Sequence, residues 1–262
     1  MDLSIVEQAE IQTLQSRLSA IQAIEGNPMG VHQLVKGQTS AFAAKNIPGP
    51  AFNTVRGLNK NDIPYLEDII DFYEIHAINF RFEITPMNSS ESLFRALTNK
   101  GYYHSGFHAS FIGDSMEEKG EIYQPDIEVC HLNREDFDLF ASIYVNGFGL
   151  PSFIQNSIKQ NNEVLFDVPG WKFYVAYVKG MPAGIAVLFV QDERATLAAA
   201  ATLPEYRGRG VQSTLIQKRI QVAFEKGAKY ITSEATFGSA SHRNMERAGL
   251  KLAYTKALWI KF

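Results

Sequence analysis

The sequence predicts a mixed α/β (α+β) protein built from two related halves. Three observations lead there. Strand-like and helix-like apolar patterns interleave along all 262 residues. Hairpin-type turns join consecutive strands in the second half. Both halves also close with the same succession of strand, helix, strand, helix and strand.

Apolar residues Ile11, Leu14, Leu18 and Ile21 give an opening helix over residues 1–25, stopped by Gly26-Asn27-Pro28. Two short strands follow at 39–45 and 52–58, divided by Pro48-Gly49-Pro50. Asn61 or Asp62 then caps a helix running to Ile75, with Pro64 in its first turn. A strand at 79–84, a helix at 89–100 ended by Gly101, and a long strand at 103–112 complete the first half. Residues 113–126 are polar and charged, which marks a boundary between domains at 1–125 and 126–262.

The second half restarts with a strand at 127–132, a helix capped by Asn133, and a further helix around 153–166. Residues 171–178 alternate as a strand, Lys179-Gly180 turns, and 181–190 returns as the hairpin partner. A third strand covers 195–203. The helix at 211–226 carries apolar residues at 211, 215, 216, 220, 223 and 224. A strand at 229–235, a short helix at 241–248 and a strand at 252–262 close the chain. Gly249 matches Gly101, and Ala257 falls opposite Ala109.

Composition narrows the function. Lys and Arg number 25 against 28 Asp and Glu, a net charge of −3, which argues against non-specific nucleic-acid binding. The single cysteine, Cys130, excludes an intrachain disulfide framework and any multi-cysteine zinc site. The longest apolar stretch, 181–190, is far short of the roughly 20 residues a membrane span needs. Met1-Asp2-Leu3 has no basic n-region, so a cytoplasmic location without membrane attachment is expected.

The chemistry concentrates in Leu203-Pro204-Glu205-Tyr206-Arg207-Gly208-Arg209-Gly210-Val211-Gln212, which joins a strand to an amphipathic helix. Glycines let the backbone turn and approach a ligand, and a helix N-terminus offers unpaired N–H groups at a positive dipole end. Arg207 and Arg209 add two mobile cations. Such a loop suits phosphate or pyrophosphate; a Gly-rich surface turn is the alternative.

This strand, loop and helix resembles the acyl-coenzyme A signature of the GNAT superfamily of N-acetyltransferases. The family pattern Gln/Arg-x-x-Gly-x-Gly/Ala is filled by Arg207, Gly210 and Gln212, with Gln212 replacing a small residue. Residues 239–250 resemble the second family motif, a short helix with Asn244 near its start and Gly249-Leu250 at its end. The resemblance covers 127–262, and 52–112 look like a second copy without a glycine-arginine loop. It implies the acyl-CoA N-acyltransferase fold, two GNAT-like domains in tandem with central, mostly antiparallel sheets flanked by helices. Backbone N–H groups of Gly208, Arg209, Gly210, Val211, Gln212 and Ser213 would hold the pyrophosphate of acetyl-CoA. The strand edge at Ala201, Thr202 and Leu203 would pair with the pantetheine arm, and Asn244 would shape the thioester end. Met245 stands where many members carry a Tyr that protonates the thiolate.

Direct transfer to a primary amine needs a base, because an amine of pKa near 10.4 is protonated at neutral pH. The strand before the loop is Ala198-Ala199-Ala200-Ala201 and has no acid, which leaves Glu234 on the next strand as the base candidate. Tyr254 and Tyr206 are weaker acid candidates. Cys130 reads as a small buried residue, His104 and His108 lack a third ligand, and His242 reads as an exposed first-turn histidine; no metal is expected. The expected partner is a small-molecule or peptide amine, with room for a homodimer. A non-catalytic acyl-CoA-binding or sensor module and a nucleotide-binding protein are the rival readings.

Overall fold

The computed structural model describes residues 3–47, 49–114 and 124–262. Its elements, in chain order, begin with helix α1 (Ser4–Gln22) and strands β1 (Val31–Lys36), β2 (Thr39–Ala44) and β3 (Thr54–Arg56). Then come α2 (Leu66–Ile75), β4 (Arg81–Ile84), α3 (Glu91–Asn99) and β5 (Tyr102–Asp114). The second half contains β6 (Ile127–His131), α4 (Phe137–Phe148), α5 (Gln155–Glu163), β7 (Trp171–Val178), β8 (Met181–Gln191) and β9 (Arg194–Thr202). It ends with α6 (Val211–Glu225), β10 (Tyr230–Thr236), α7 (Ala240–Arg247) and β11 (Lys251–Lys261). This is the mixed α/β architecture that the interleaved patterns predict, with antiparallel pairing dominant. The polar segment read as a boundary lies largely outside the described residues.

The chain forms two compact units. One comprises Met1–Ser110, Ala235–Ser239 and Leu252–Phe262; the other Phe111–Glu234 and Ala240–Lys251. In the first, the strand order is β1-β2-β3-β4-β11-β5. Strands β1, β2 and β3 pair antiparallel, and β3 runs parallel to β4 after the crossover through α2. The last strand of the chain, β11, lies antiparallel to β4, with Ala257 opposite Ile84. Its core joins Leu66, Ile69, Ile70 and Tyr73 of α2 to Val55, Phe82, Leu93, Leu97 and Trp259. Tyr73 donates its buried hydroxyl to the carbonyls of Phe42 and Thr54 at 2.8 and 3.0 Å.

Two local expectations are corrected here. Strand β1 was not anticipated, because His32, Gln33 and Lys36 break up its apolar run; the Gly37-Gln38 turn folds it onto β2, Val31 opposite Ala44. No side chain caps α2 itself; Asn59 caps the turn before it, its side chain accepting from the Asn61 amide at 2.9 Å. Pro64 lies in a 3₁₀ segment, Lys60–Tyr65, which precedes the α-helix. Asp62 is buried instead, accepting from Gln38 N and Thr39 Oγ1.

In the second unit the order is β10-β9-β8-β7-β6. Strands β6 to β9 form antiparallel hairpins, and β10 returns parallel to β9 after the crossover through α6. Lys179 and Gly180 both adopt positive φ, the geometry a two-residue hairpin turn requires. Both units thus run antiparallel strands into a helical crossover and a parallel strand.

Candidate functional site

Strand β9 carries the geometry from which the site grows. It pairs with β8 through Gly184↔Thr202, Ile185↔Ala201 and Ala186↔Ala200, and resumes at Leu188↔Leu197. Val187 therefore faces two residues, Ala198 and Ala199, which is a β-bulge. An extra residue bends its strand and raises the local twist. The parallel pairing with β10 ends at that bend: its last rung is Ser233↔Leu197, while β9 continues to Thr202. Side-chain ties mark the end of the paired stretch, Thr196 Oγ1 to Thr232 Oγ1 at 3.1 Å and Ser233 Oγ to the Leu197 carbonyl at 3.1 Å.

Beyond the bulge β9 leads into the loop. Leu203 N donates to the Ala183 carbonyl at 2.9 Å, and Pro204–Tyr206 forms a 3₁₀ turn closed by Tyr206 N to the Leu203 carbonyl at 3.0 Å. Gly210 then caps α6 with φ of 88°, a conformation that costs any residue with a Cβ about 1–2 kcal/mol. Its carbonyl takes the first helical bond, from Thr214 N at 3.0 Å. The N–H groups of Val211, Gln212 and Ser213 have no intrahelical acceptor and stand at the positive end of a fifteen-residue helix. A Cβ on Gly208 would meet no atom within 4 Å, which is open space, whereas one on Gly210 would lie 3.5 Å from the Gln124 side chain and 3.7 Å from Ile127 Cδ1. Gly184 lets α6 come close to the sheet, since a Cβ there would lie 2.9 Å from Val211 Cγ1 and from the Ala201 carbonyl.

The two loop arginines differ from the expectation of two mobile cations. Arg207 Nη2 donates to the Gly147 carbonyl at 2.7 Å, which fastens the loop to the C-terminal end of α4. Arg209 lies over the Tyr206 ring, 5.4 Å from its centroid. Thr202 places its Oγ1 in a buried position with no hydrogen-bond partner among the described residues.

The remaining candidates fall as follows. Glu234 is half-buried and follows directly on the last β9–β10 rung. Asn244 is half-buried in α7, its Oδ1 accepting from Arg247, and Met245 beside it is buried. Tyr254 is buried on β11 in the first unit, whereas Glu234 belongs to the second. His242 is not the exposed residue expected: it is buried, edge-on to Phe111 with ring centroids 4.9 Å apart. Cys130 is only half-buried, and burial followed by the Glu128 carboxylate pushes its thiol up, away from thiolate chemistry. Among the described residues no group of three or more His, Cys, Asp or Glu could hold a metal, and no helix is long and apolar enough to cross a membrane.

One buried residue escaped the sequence reading. The inward face of α6 is Val211, Leu215, Ile216, Arg219, Val222 and Ala223, while Phe224 is 56% exposed. Arg219 continues the four-residue spacing from Val211 and Leu215, and that spacing was the available signal.

Residues 135–250 match the model of the acetyltransferase (GNAT) family. Among solved structures, a GCN5-related N-acetyltransferase from Kribbella flavida is similar at 14% identity with a TM-score of 0.71, covering 98% of this chain and 95% of its own. Another, from Sphaerobacter thermophilus, is 15% identical with a TM-score of 0.63, covering 93% of this chain and 84% of that one. A tandem GNAT protein from the clavulanic acid biosynthesis pathway is 12% identical with a TM-score of 0.63, covering 95% and 94%. No curated protein sequence matches.

Proposed function

We propose, taking residues 135–250 as a GNAT acetyltransferase domain, that this chain moves an acetyl group from the thioester of acetyl-CoA to a primary amine by direct attack in a ternary complex. The observation that carries the reading is the Gly208-Arg209-Gly210 turn opening α6 at the end of a bulged strand whose outer edge has left its parallel neighbour. Unpaired N–H groups and open space fit an anionic diphosphate. The freed edge of β9 at Ala201–Leu203, with the Thr202 hydroxyl beside it, fits an amide-bearing arm added as an extra strand.

In this reading the amine nitrogen attacks the thioester carbon while the carbonyl π electrons move to oxygen. Collapse re-forms the carbonyl and expels the coenzyme A thiolate. The proton lost by the amine passes to a base, for which Glu234 is proposed; Tyr254 is the weaker candidate for an acid, and a thiolate can leave unprotonated. Asn244 would orient the thioester end. Residues 1–125 and 126–262 are read as two copies of one fold. A cytoplasmic location and a small-molecule or peptide amine acceptor belong to the same reading. A homodimer belongs to the same reading, and sedimentation would test it.

The test is thermal unfolding with acetyl-CoA, ATP and free pantetheine in parallel. A ligand at 100 times its dissociation constant stabilises the native state by about 2.7 kcal/mol. Stabilisation by acetyl-CoA that Gly210→Glu abolishes in a folded protein supports the reading. No response at millimolar ligand removes it. A second reading, a non-catalytic acyl-CoA-binding or sensor module, is favoured by buried Met245 and by the acid-free run Ala198–Ala201. Glu234→Gln separates the two: a base would be revealed by lost turnover at unchanged cofactor affinity.

A further inference from the structure

We propose that Arg219 is a positioning residue for acyl transfer: its guanidinium holds the carbonyls of the β9 bulge, so that the Ala198–Ala199 peptide presents a polarised N–H to the thioester carbonyl. This rests on the acetyl-CoA reading above.

Arg219 is wholly buried on the inner face of α6. Its Nε donates to the Leu215 carbonyl at 3.1 Å, and its Nη1 to the carbonyls of Val187 at 3.2 Å and Ala198 at 3.4 Å. Those last two carbonyls flank the bulge itself, where Val187 faces Ala198 and Ala199. Nη2 has no hydrogen-bond partner among the described residues. The guanidinium is held by backbone carbonyls. Burial lowers its pKa to about 10, and Tyr174 opposes that, so it remains a cation at neutral pH.

A leucine or methionine would fill this space without desolvating a charge. What the arginine adds is a fixed cation on the peptide oxygens that flank the bulge, that of Ala198 among them. In a trans peptide the N–H points opposite to the C=O. With the Ala198 carbonyl turned to Arg219, the Ala199 N–H is directed away from it. Ala199 has no partner in the β8 register, and the β10 register ends at Leu197, so the bulge lies where β9 has parted from β10. A cation on the carbonyl strengthens the N–H of the same peptide as a donor. The charge that develops on the thioester oxygen is what such a donor stabilises. Arg219 touches neither reactant and acts through the backbone.

The test is isotope-edited infrared spectroscopy of bound S-acetonyl-coenzyme A, a stable ketone analogue carrying carbon-13 at the carbonyl. In the native protein the carbonyl band should move to lower wavenumber than in water. Arg219→Met should lose at least about half of that displacement, with the dissociation constant kept within about threefold. Arg219→Lys, which restores the cation, should recover part of it. A purely structural role leaves the band of the bound analogue where it stands in the native protein, and an unchanged band in R219M overturns the proposal. If R219M does not fold, Arg219→Gln, which keeps a donor and discards the charge, makes the same comparison. Failure of the native protein to bind the analogue or acetyl-CoA removes the acetyltransferase reading, and this proposal with it. Binding with an unaltered R219M band removes this proposal alone.

Discussion

Gly210 is the position at which the loop's backbone geometry is most directly tested. At φ of 88° a β-branched side chain is strained, so Gly210→Val should cost about 1–2 kcal/mol of stability and abolish the response to acetyl-CoA. Calorimetry with and without ligand would read both effects; an unchanged ligand response would remove the loop from the cofactor site. Glu7 offers a test by pH. Burial raises its carboxyl above the ordinary glutamate value of 4.5, although Asn88 donates to both of its oxygens at 2.9–3.1 Å and the Gly57 amide also bonds it. A raised folded-state pKa means that the unfolded chain ionises first. The contribution of Glu7 is therefore whole below pH 4.5 and is lost as pH rises through the folded value. The melting temperature of Glu7→Gln minus that of the native protein should increase between pH 4 and pH 7, and a flat difference would contradict the burial argument.

At the level of elements, α6 and β9 set the site together. Helix α6 lies against β8 and β9 through Val211 and Leu215 beside Gly184, and through Arg219 beneath the bulge. Leu215→Ala should cost about 2–5 kcal/mol, because a buried leucine leaves a cavity that rigid strands close only partly. Denaturant titration would give the value, and acetyl-CoA should recover part of the loss by mass action. The bulge lies where β9 parts from β10. Before Leu197 its outer edge is occupied by β10, and after it that edge is released. Removing the extra residue, by deleting Ala199, should restore continuous pairing and weaken acetyl-CoA binding more than stability. Equal binding by the deletion variant would show that the released edge is not used.

For the whole molecule the decisive feature is where the chain's last strand goes. Strand β11 completes the first unit, and its Lys256 sits in a buried ionic cluster there. Lys256 Nζ reaches Glu10 Oε2 and Glu83 Oε2, each at 2.9 Å; Arg56 bridges the same two carboxylates; and Ser110 donates to Glu10 at 2.6 Å. Removing one partner of such a cluster leaves a buried charge uncompensated, so Lys256→Met should cost about 3–5 kcal/mol. Cutting the chain after Lys251 should go further. Hydrogen exchange would then show β4 amides losing protection, since Phe82, Glu83 and Ile84 would lose Trp259, Leu258 and Ala257 as partners. Retained protection in β4 would show that the first unit stands without its C-terminal strand.

Local order settles much of this protein. The helices of α1, α3 and α6, the hairpins of β7, β8 and β9, and the Arg207-Gly208-Arg209-Gly210 loop all follow from apolar spacing, capping residues and glycine placement, which act over a few residues. Contacts far apart in sequence were not legible that way. Strand β1, with its polar insertions, is stabilised by β2, and the ionic pairing of Lys256 with Glu10 joins the two ends of the chain. The bulge at Ala198-Ala199 arises from register between strands, which an alanine run does not specify. Arg219 lay in plain sight on the four-residue spacing of α6. Only the tertiary structure gave its charge a purpose, because the carbonyls it holds come from two other strands.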